Sequence, residues 1–463
     1  MTQTDTSAHY DVIVIGAGPA GAAAAVRAAE LGSSVAVLEA NRPGGVCVNS
    51  GCVPTRVLAK TARLLRDVRH ARTYGVAVNE PVVHWAETVA RVRGVIEDVH
   101  GYKRLAATLA EAGADLYQEG FARFVDPFTV KLTESKEQLG ADAFILCVGG
   151  HSARLPVPGA ELMRVPEEVL DLPELPASAV IIGSGYTGVQ LATVFNAFGA
   201  QVTVLETQSQ LLPAADQDVS RALTEAFTAQ GITVRTGVGG VERVEQQGDL
   251  KHTSFTVNEQ LETIDAELVV ACVGWPVSAE KLNLGEAGVD AEPKRIPTGA
   301  YYQTTVPHIF VAGDATGAGL VQTAARDGFA AATNAVLGPR VRSTHPLLPS
   351  GGFTDPDYGS VGFTEVEARE RDPECLVASV PYAQLERALI DGRTTGFFKL
   401  ICDRHRSSVL GAHAVGEGAL ELIQAVTTAV AAGTDLATLA SVEFAYPTYT
   451  AILGSAAQKL LRV

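Results

Sequence analysis

Cysteine is scarce in this chain, with six among 463 residues, at positions 47, 52, 147, 272, 375 and 402. That is too few for a disulfide-built scaffold at this length. Long apolar runs are missing as well: no stretch approaches the ~20 uninterrupted apolar residues that span a bilayer. A polar Met1 to His9 segment without a signal-peptide pattern precedes the first apolar run, so a cytoplasmic location and no membrane partner are expected. Cations are in short supply, 36 Lys and Arg against 52 Asp and Glu, for a formal charge of -16. Nucleic-acid surfaces need clustered Lys and Arg, which excludes nucleic acid as a partner and leaves small molecules or a second copy of the chain. The length is too great for one core and suits about three domains.

What is present is a repeated glycine fingerprint. Gly16-x-Gly18-x-x-Gly21 is followed by Glu39, and Gly183-x-Gly185-x-x-Gly188 by Glu206; each acid lies 23 residues beyond its first glycine. Apolar runs precede both, Val12 to Ile15 and Val180 to Ile182, and helix-forming stretches follow. With 45 glycines in the chain one copy would carry little weight, but two copies in the same strand-turn-helix context predict two dinucleotide sites. The glycines permit the tight turn and close approach of a pyrophosphate to a helix start, and the acid accepts hydrogen bonds from a ribose. A carboxylate at Glu206 opposes a 2'-phosphate, and Thr207-Gln208-Ser209-Gln210 offers no cation before Arg221, so NADH is expected ahead of NADPH.

Cys47-Val-Asn-Ser-Gly-Cys52 follows the flexible Pro43-Gly44-Gly45. Pro54 and the apolar spacing of Val57, Leu58, Leu64, Leu65 and Val68 predict a helix, which places Cys52 near its N-terminus, where the dipole favours thiolate. A close pair on a dinucleotide-binding domain points to redox chemistry. A metal pair or two inert thiols are the alternatives, and His70 and His84 are too distant to complete a metal-ligand pattern.

With these motifs the chain resembles the flavoprotein disulfide reductases, the family of dihydrolipoamide dehydrogenase, glutathione reductase and mercuric reductase. The resemblance runs through Gly16-Ala-Gly18-Pro19-Ala20-Gly21, Gly44-Gly45-Val-Cys47-Val-Asn49-Ser-Gly51-Cys52-Val-Pro54-Thr55, Ile182-Gly183-Ser-Gly185-Tyr186-Thr-Gly188, Phe310-Val-Ala312-Gly313-Asp314 and Phe363-Thr364-Glu365. It implies an α/β fold with two Rossmann-like dinucleotide-binding domains plus a C-terminal α+β dimerisation domain. The FAD domain is expected over 1–155 and 275–340, the NAD(P) domain over 156–274 and the interface domain over 341–463. The resemblance further implies a homodimer and a Cys47–Cys52 disulfide, with Cys52 nearer the flavin and Cys47 meeting substrate. FAD would be contacted by Glu39, Gly45, Ala122 within Gly120-Phe121-Ala122, Gly149, Gly313 and Asp314; Tyr186 and Gly274 belong to the nicotinamide side.

Three departures from the family pattern matter. The C-terminal His-Pro-Thr-x-x-Glu motif, whose histidine serves the partner subunit's dithiol, reads Tyr446-Pro447-Thr448-Tyr449-Thr450-Ala451. Tyr446 is therefore a catalytic candidate, or a packed interface aromatic, and a phenol of reference pKa ~10 is a poor base. The family's lysine and glutamate beside the flavin read Arg56 and Gln190, a guanidinium expected to face a neutral amide or a neutral exchange that still hydrogen-bonds. The usual Gly-Arg reads Gly274-Trp275. His405 and His413 are expected to be ordinary packing or surface residues. The leading expectation is an NADH-dependent reductase of a small disulfide, since oxidising a dithiol needs the missing base. The alternatives are a quinone or dye reductase using flavin directly, thiolate-driven C–S cleavage like that of 2-ketopropyl coenzyme M oxidoreductase/carboxylase, and a non-enzymatic redox sensor.

Overall fold

Four successive β-branched residues, Val12 to Ile15, are at most 4% exposed at the end of strand β1 (Ala8–Ile15). Such an unbroken apolar run suits a parallel strand covered on both faces. The computed structural model describes residues 8–317, 319–344 and 347–462. After β1 come α1 (Pro19–Glu30), β2 (Val35–Leu38), the short α2 (Gly45–Asn49), α3 (Cys52–His70), α4 (Trp85–Lys103), α5 (Leu105–Glu111), β3 (Ala114–Tyr117), β4 (Ala122–Asp126), β5 (Thr129–Leu132) and β6 (Gln138–Leu146). β1 pairs in parallel with β2 and β6, and β2 with β3, while β4 and β5 extend the sheet antiparallel from β6.

The pattern recurs in β7 (Ser178–Ile182), α6 (Tyr186–Ala197), β8 (Gln201–Glu206), α7 (Gln217–Ala229) and β9 (Thr233–Thr236). An antiparallel sheet of β10 (Gly240–Gln247), β11 (Leu250–Val257) and β12 (Gln260–Ala266) leads to β13 (Leu268–Ala271), which completes a parallel sheet of order β13-β7-β8-β9. The chain then returns to the first sheet, where β14 (Ile309–Val311) pairs with the end of β6. α8 (Val321–Leu337) follows and packs on α1 along small residues: a side chain at Gly328 would come within 2.0 Å of the Ala20 carbonyl oxygen.

The C-terminal region forms an antiparallel sheet from β15 (Ser350–Gly352), β16 (Tyr358–Gly362), β17 (Leu376–Pro381), β18 (Phe397–Cys402) and β19 (Val409–Val415), in the order β15-β16-β19-β18-β17. Helices α9 (Glu365–Arg371), α10 (Glu386–Ile390), α11 (Ala419–Ala431), α12 (Leu436–Ser441) and α13 (Ala451–Arg462) accompany it. The fold is thus mixed α/β, with two Rossmann-like sheets and a C-terminal α+β domain. Among the described residues no helix is long and apolar enough to cross a membrane.

Contacts divide the chain into two compact units, Met1–Pro54 with Ala90–Ala153 and Trp275–His345, and Thr55–Val89 with Arg154–Gly274 and Pro346–Val463. The segment Thr55–Val89, which the sequence boundaries place in the first nucleotide domain, groups with the second unit for identifiable reasons. Arg63 is ion-paired with buried Asp357, Arg66 with Asp355 at 2.7 Å, and the Trp85 indole N–H donates to the Leu172 carbonyl at 2.8 Å.

Candidate active site

The two fingerprints fold almost identically. Gly16 and Gly183 take φ of +102° and +95°, which L side chains rarely adopt, and a Cβ on either would lie 2.4 Å from the carbonyl oxygen of Cys147 or Cys272. Gly21 and Gly188 pack so tightly on Gly16 and Gly183 that a Cβ would come within 1.8 and 2.0 Å of their carbonyl oxygens. Helices α1 and α6 both begin at a glycine N-cap, Gly18 and Gly185, without side-chain capping. Their first N–H groups therefore remain available to an anion, the requirement of a pyrophosphate site.

In the first unit a cavity of about 650 Å³ opens at this helix start. Gly16, Gly18, Glu39, Gly45, Cys47, Ala122, Gly149, Gly313 and Asp314 line it, so nine residues expected from sequence converge on one site. Gly21 lies behind it in α1, while Cys52 opens α3. Gly18 and Gly45 face one another so closely that a Cβ at Gly45 would be 3.0 Å from the Gly18 Cα. Glu39 accepts from the Ala17 N–H at 2.7 Å and the Asn41 N–H at 2.9 Å, which fixes its carboxylate at the cavity wall. Volume, exposed helix donors and a fixed carboxylate fit the dinucleotide FAD.

Cys47 lies in α2 and Cys52 begins α3. The loop between them closes through the Ser50 and Gly51 N–H groups, both donating to the Val46 carbonyl, at 2.9 and 2.6 Å. A Cβ on Gly51 would lie 3.0 Å from that oxygen and 3.4 Å from the Cys47 Cα, so glycine lets the two cysteines meet. The disulfide expected from sequence is not formed in this structure: both are thiols, joined by a side-chain hydrogen bond. The Cys47 thiol donates, which brings Cys52 down to about 7; burial opposes this and the backbone N–H at the helix start assists. Cys47 is pushed far up by holding that proton and by burial. The pair is a reduced dithiol with Cys52 as the ready thiolate. Asp314, lifted above the usual carboxylate range by burial and by Asp327, shares the cavity wall with Cys47.

The second fingerprint holds its acid more tightly. Glu206, 7% exposed, accepts from the Ser184 N–H at 2.9 Å, the Ser184 hydroxyl at 2.7 Å, the Gln208 N–H at 2.8 Å and the Thr207 hydroxyl at 3.3 Å. Burial raises its pKa, but these donors outweigh burial and keep it ionised. Sequence reasoning missed Ser184, whose signal was a hydroxyl between Gly183 and Gly185.

Arg56 and Gln190 meet the same residue, Phe353, without a hydrogen bond between them among the described residues. The Arg56 guanidinium stacks 4.0 Å over the Phe353 ring, while the Gln190 amide donates to the Tyr186 carbonyl at 2.6 Å and accepts from the Phe353 N–H at 3.2 Å. An uncharged amide at Gln190 offers the guanidinium no ion pair. Tyr186, partly exposed, stacks on buried Tyr358 with centroids 6.3 Å apart. Gly274, at φ +143°, has open space around its Cβ position, and beyond it Trp275 lies against Gly150, where a Cβ would be 2.3 Å from the indole nitrogen. That nitrogen is buried without a partner among the described residues. Tyr446 is 77% exposed, between α12 and α13. His413 is buried between the Ser360 hydroxyl and the Phe363 carbonyl, both at 3.0 Å, a packing histidine. His405 lies in the β18–β19 turn, its N–H bonded to Asp403 at 2.8 Å.

Two family models match the chain: pyridine nucleotide-disulphide oxidoreductase over residues 10–328 and its dimerisation domain over residues 348–457. A mercuric reductase of Bacillus cereus is 33% identical over 428 residues, covering 92% of this chain and 67% of that protein. A dihydrolipoyl dehydrogenase of Haloferax volcanii is 30% identical over 471 residues, covering 100% and 98%. The HOCl-induced flavoprotein disulfide reductase RclA from Escherichia coli superposes with a TM-score of 0.86 at 25% identity, over 97% of this chain and 99% of that one. The chain therefore belongs to the pyridine nucleotide-disulphide oxidoreductases, as an FAD-dependent disulfide oxidoreductase that uses a pyridine nucleotide and carries the family's dimerisation domain.

Proposed function

We propose that this enzyme uses NADH to reduce a small disulfide through Cys47 and Cys52, working as a homodimer in the cytosol. The observation that carries the reading is the dithiol itself, with a ready thiolate at a helix start and its partner thiol in the wall of the FAD-sized cavity. FAD and the pyridine nucleotide, when bound, supply the hydride and electron transfer that opens the Cys47–Cys52 disulfide. Gly16, Gly18 and Gly21 with Glu39, and Gly183, Gly185 and Gly188 with Glu206, hold the two dinucleotides; Gly45, Ala122, Gly149, Gly313 and Asp314 complete the FAD cradle. Arg56 and Gln190 lie beside the flavin, and Tyr186 and Gly274 serve the nicotinamide side.

Cys47, once its proton has passed to solvent, attacks one sulfur of the substrate, forming a mixed disulfide and releasing the first substrate thiolate. Cys52 then attacks the Cys47 sulfur, restoring the Cys47–Cys52 bond and releasing the second thiolate. Two protons from solvent complete the two product thiols, and two electrons have left the dithiol. Reduction is favoured over dithiol oxidation because Tyr446, in place of a histidine, is a poor base for deprotonating an incoming dithiol. NADH is favoured because Glu206 is ionised and buried; a ribose hydroxyl needs to displace only the Thr207 hydroxyl, the longest of its four contacts, at 3.3 Å.

Anaerobic titration with NADH is expected to deliver four electrons per flavin and a long-wavelength thiolate–flavin absorbance, and kcat/KM is expected to be higher for NADH than for NADPH. Cys47→Ser is expected to abolish turnover of glutathione, lipoamide and coenzyme A disulfides and of mercuric ion, the last tested because mercuric reductases are among the relatives. Full turnover of a disulfide by Cys47→Ser, or quinone reduction as the only activity of the unaltered enzyme, overturns the reading.

A further inference from the structure

Each fingerprint carries one residue between its first two glycines, Ala17 in the first and Ser184 in the second. Both present their backbone N–H to the fingerprint acid: Ala17 donates to Glu39 Oε2 at 2.7 Å, and Ser184 to Glu206 Oε2 at 2.9 Å. Ser184 then adds what alanine lacks, a hydroxyl that donates to the same Oε2 at 2.7 Å. Ser184 is fully buried and its carbonyl accepts from the Leu212 N–H at 3.1 Å, so the clamp is itself fixed. A carboxylate oxygen has two lone pairs, and Ser184 fills both on Oε2. Oε1 accepts from the Gln208 N–H at 2.8 Å and, at 3.3 Å, from the Thr207 hydroxyl. All four donors are neutral, which holds the negative charge in place without cancelling it.

We propose that Ser184 is the positioning residue that makes the second dinucleotide site selective for a free ribose 2'-hydroxyl over a 2'-phosphate, by fixing the carboxylate of Glu206. This role rests on the reading of Glu206 as the acid that receives the ribose, and names what keeps that acid from giving way. A carboxylate free to turn about its side-chain bonds moves away from an incoming phosphate and relieves most of the repulsion. Turning Glu206 strands the Ser184 N–H and hydroxyl in a buried turn, so the charge stays where a 2'-phosphate would arrive. Rejection of the phosphorylated ribose is thus a repulsive element built into the turn, added to the attraction that a free hydroxyl finds at Oε1. Glu39, which accepts from the Ala17 and Asn41 N–H groups, has no such hydroxyl clamp.

The test is calorimetric titration of the purified flavoprotein with NAD⁺ and with NADP⁺, neither of which reduces flavin. The readout is the ratio of the two dissociation constants, which a partly unfolded preparation leaves unchanged because only the apparent stoichiometry falls. NAD⁺ is expected to bind more tightly than NADP⁺, and Glu206→Ala to lower that preference strongly. An unaltered enzyme that prefers NADP⁺, or a preference that survives Glu206→Ala, overturns the reading of Glu206 itself. Ser184→Ala is expected to lower the preference about tenfold, the size of one hydrogen bond to a charged group. Ser184→Cys, which keeps a weak donor in nearly the same volume, is expected to lower it less and serves where the alanine variant does not fold. In the Glu206→Ala background Ser184→Ala is expected to change nothing further, since its action passes through the carboxylate. Anaerobic stopped-flow reduction of the flavin by NADH is expected to show a raised apparent Kd for Ser184→Ala with an unchanged limiting rate, as for a residue that positions the ribose and leaves hydride transfer alone. With Glu206→Ala lowering the preference, an unchanged preference in the Ser184 variant, or an equal fall in both backgrounds, overturns the proposal and leaves the Glu206 reading intact.

Discussion

At the residue scale, the division of labour between the two cysteines comes from one hydrogen bond and one helix terminus. Cys52 receives the Cys47 thiol proton and the helix-start N–H, and its pKa falls to about 7, below that of an ordinary thiol. An acid whose folded pKa is lowered stabilises the fold above its unfolded value and loses that contribution as pH falls through the folded one. In the two-electron-reduced enzyme the thiolate–flavin absorbance is therefore expected to be constant above pH 8 and to fade as pH drops through about 7, as read by anaerobic spectrophotometric titration. A midpoint near that of a free thiol contradicts the assignment. At the same scale Glu206 is held by more donors than Glu39: the Ser184 and Thr207 hydroxyls add to the Ser184 and Gln208 N–H groups, whereas Glu39 accepts from the Ala17 and Asn41 N–H groups.

Among elements, the contact of α1 with α8 sets the position of the first dinucleotide cradle. Gly328 of α8 meets the Ala20 carbonyl so closely that any side chain forces the helices apart. Ala20 is in the first turn of α1 and in the cavity wall, so displacement of α1 moves the donors meant for pyrophosphate. Gly328→Ala is expected to cost about 1–3 kcal/mol through overpacking, and to release flavin more readily. Denaturant unfolding followed by fluorescence, with flavin content after gel filtration, checks both; unchanged stability and retention would show that the helices adjust freely. α4 illustrates a limit of sequence reading at this scale. The spacing of Glu97 and His100 marks one helical face, but nothing in it says that the face meets Arg42 and Asn49, more than fifty residues earlier in the chain.

At the scale of the whole molecule, a buried ionic hub ties the second nucleotide-binding sheet to the C-terminal domain. Lys399 in β18, its side chain 3% exposed, reaches Asp216 at 3.0 Å and Asp218 at 2.9 Å at the start of α7, and Glu365 at 2.6 Å in α9. Lys399→Met removes the cation that the three carboxylates share; Glu365 keeps Arg369 at 2.8 Å and Asp218 keeps Arg221 at 2.7 Å, but buried Asp216 loses its ammonium partner, and the change is expected to destabilise this unit by about 3–5 kcal/mol, measured as earlier urea unfolding and earlier loss of activity on heating. Neutralising the acids as well, with Asp216→Asn and Glu365→Gln, is expected to recover part of the loss. From the sequence alone came the two glycine turns with their acids, the cysteine pair and nine residues that line the cavity of the first unit, because a turn that only glycine can adopt and a cysteine at a helix start are local requirements, written in adjacent residues. The docking of Arg56 and Gln190 on Phe353, the burial of Glu206 under Ser184, the grouping of Thr55–Val89 with the second unit and the pairing of α4 with Arg42 and Asn49 were decided by tertiary structure. Each joins side chains far apart in sequence, whose choice of partner depends on which surfaces the fold brings within hydrogen-bonding reach.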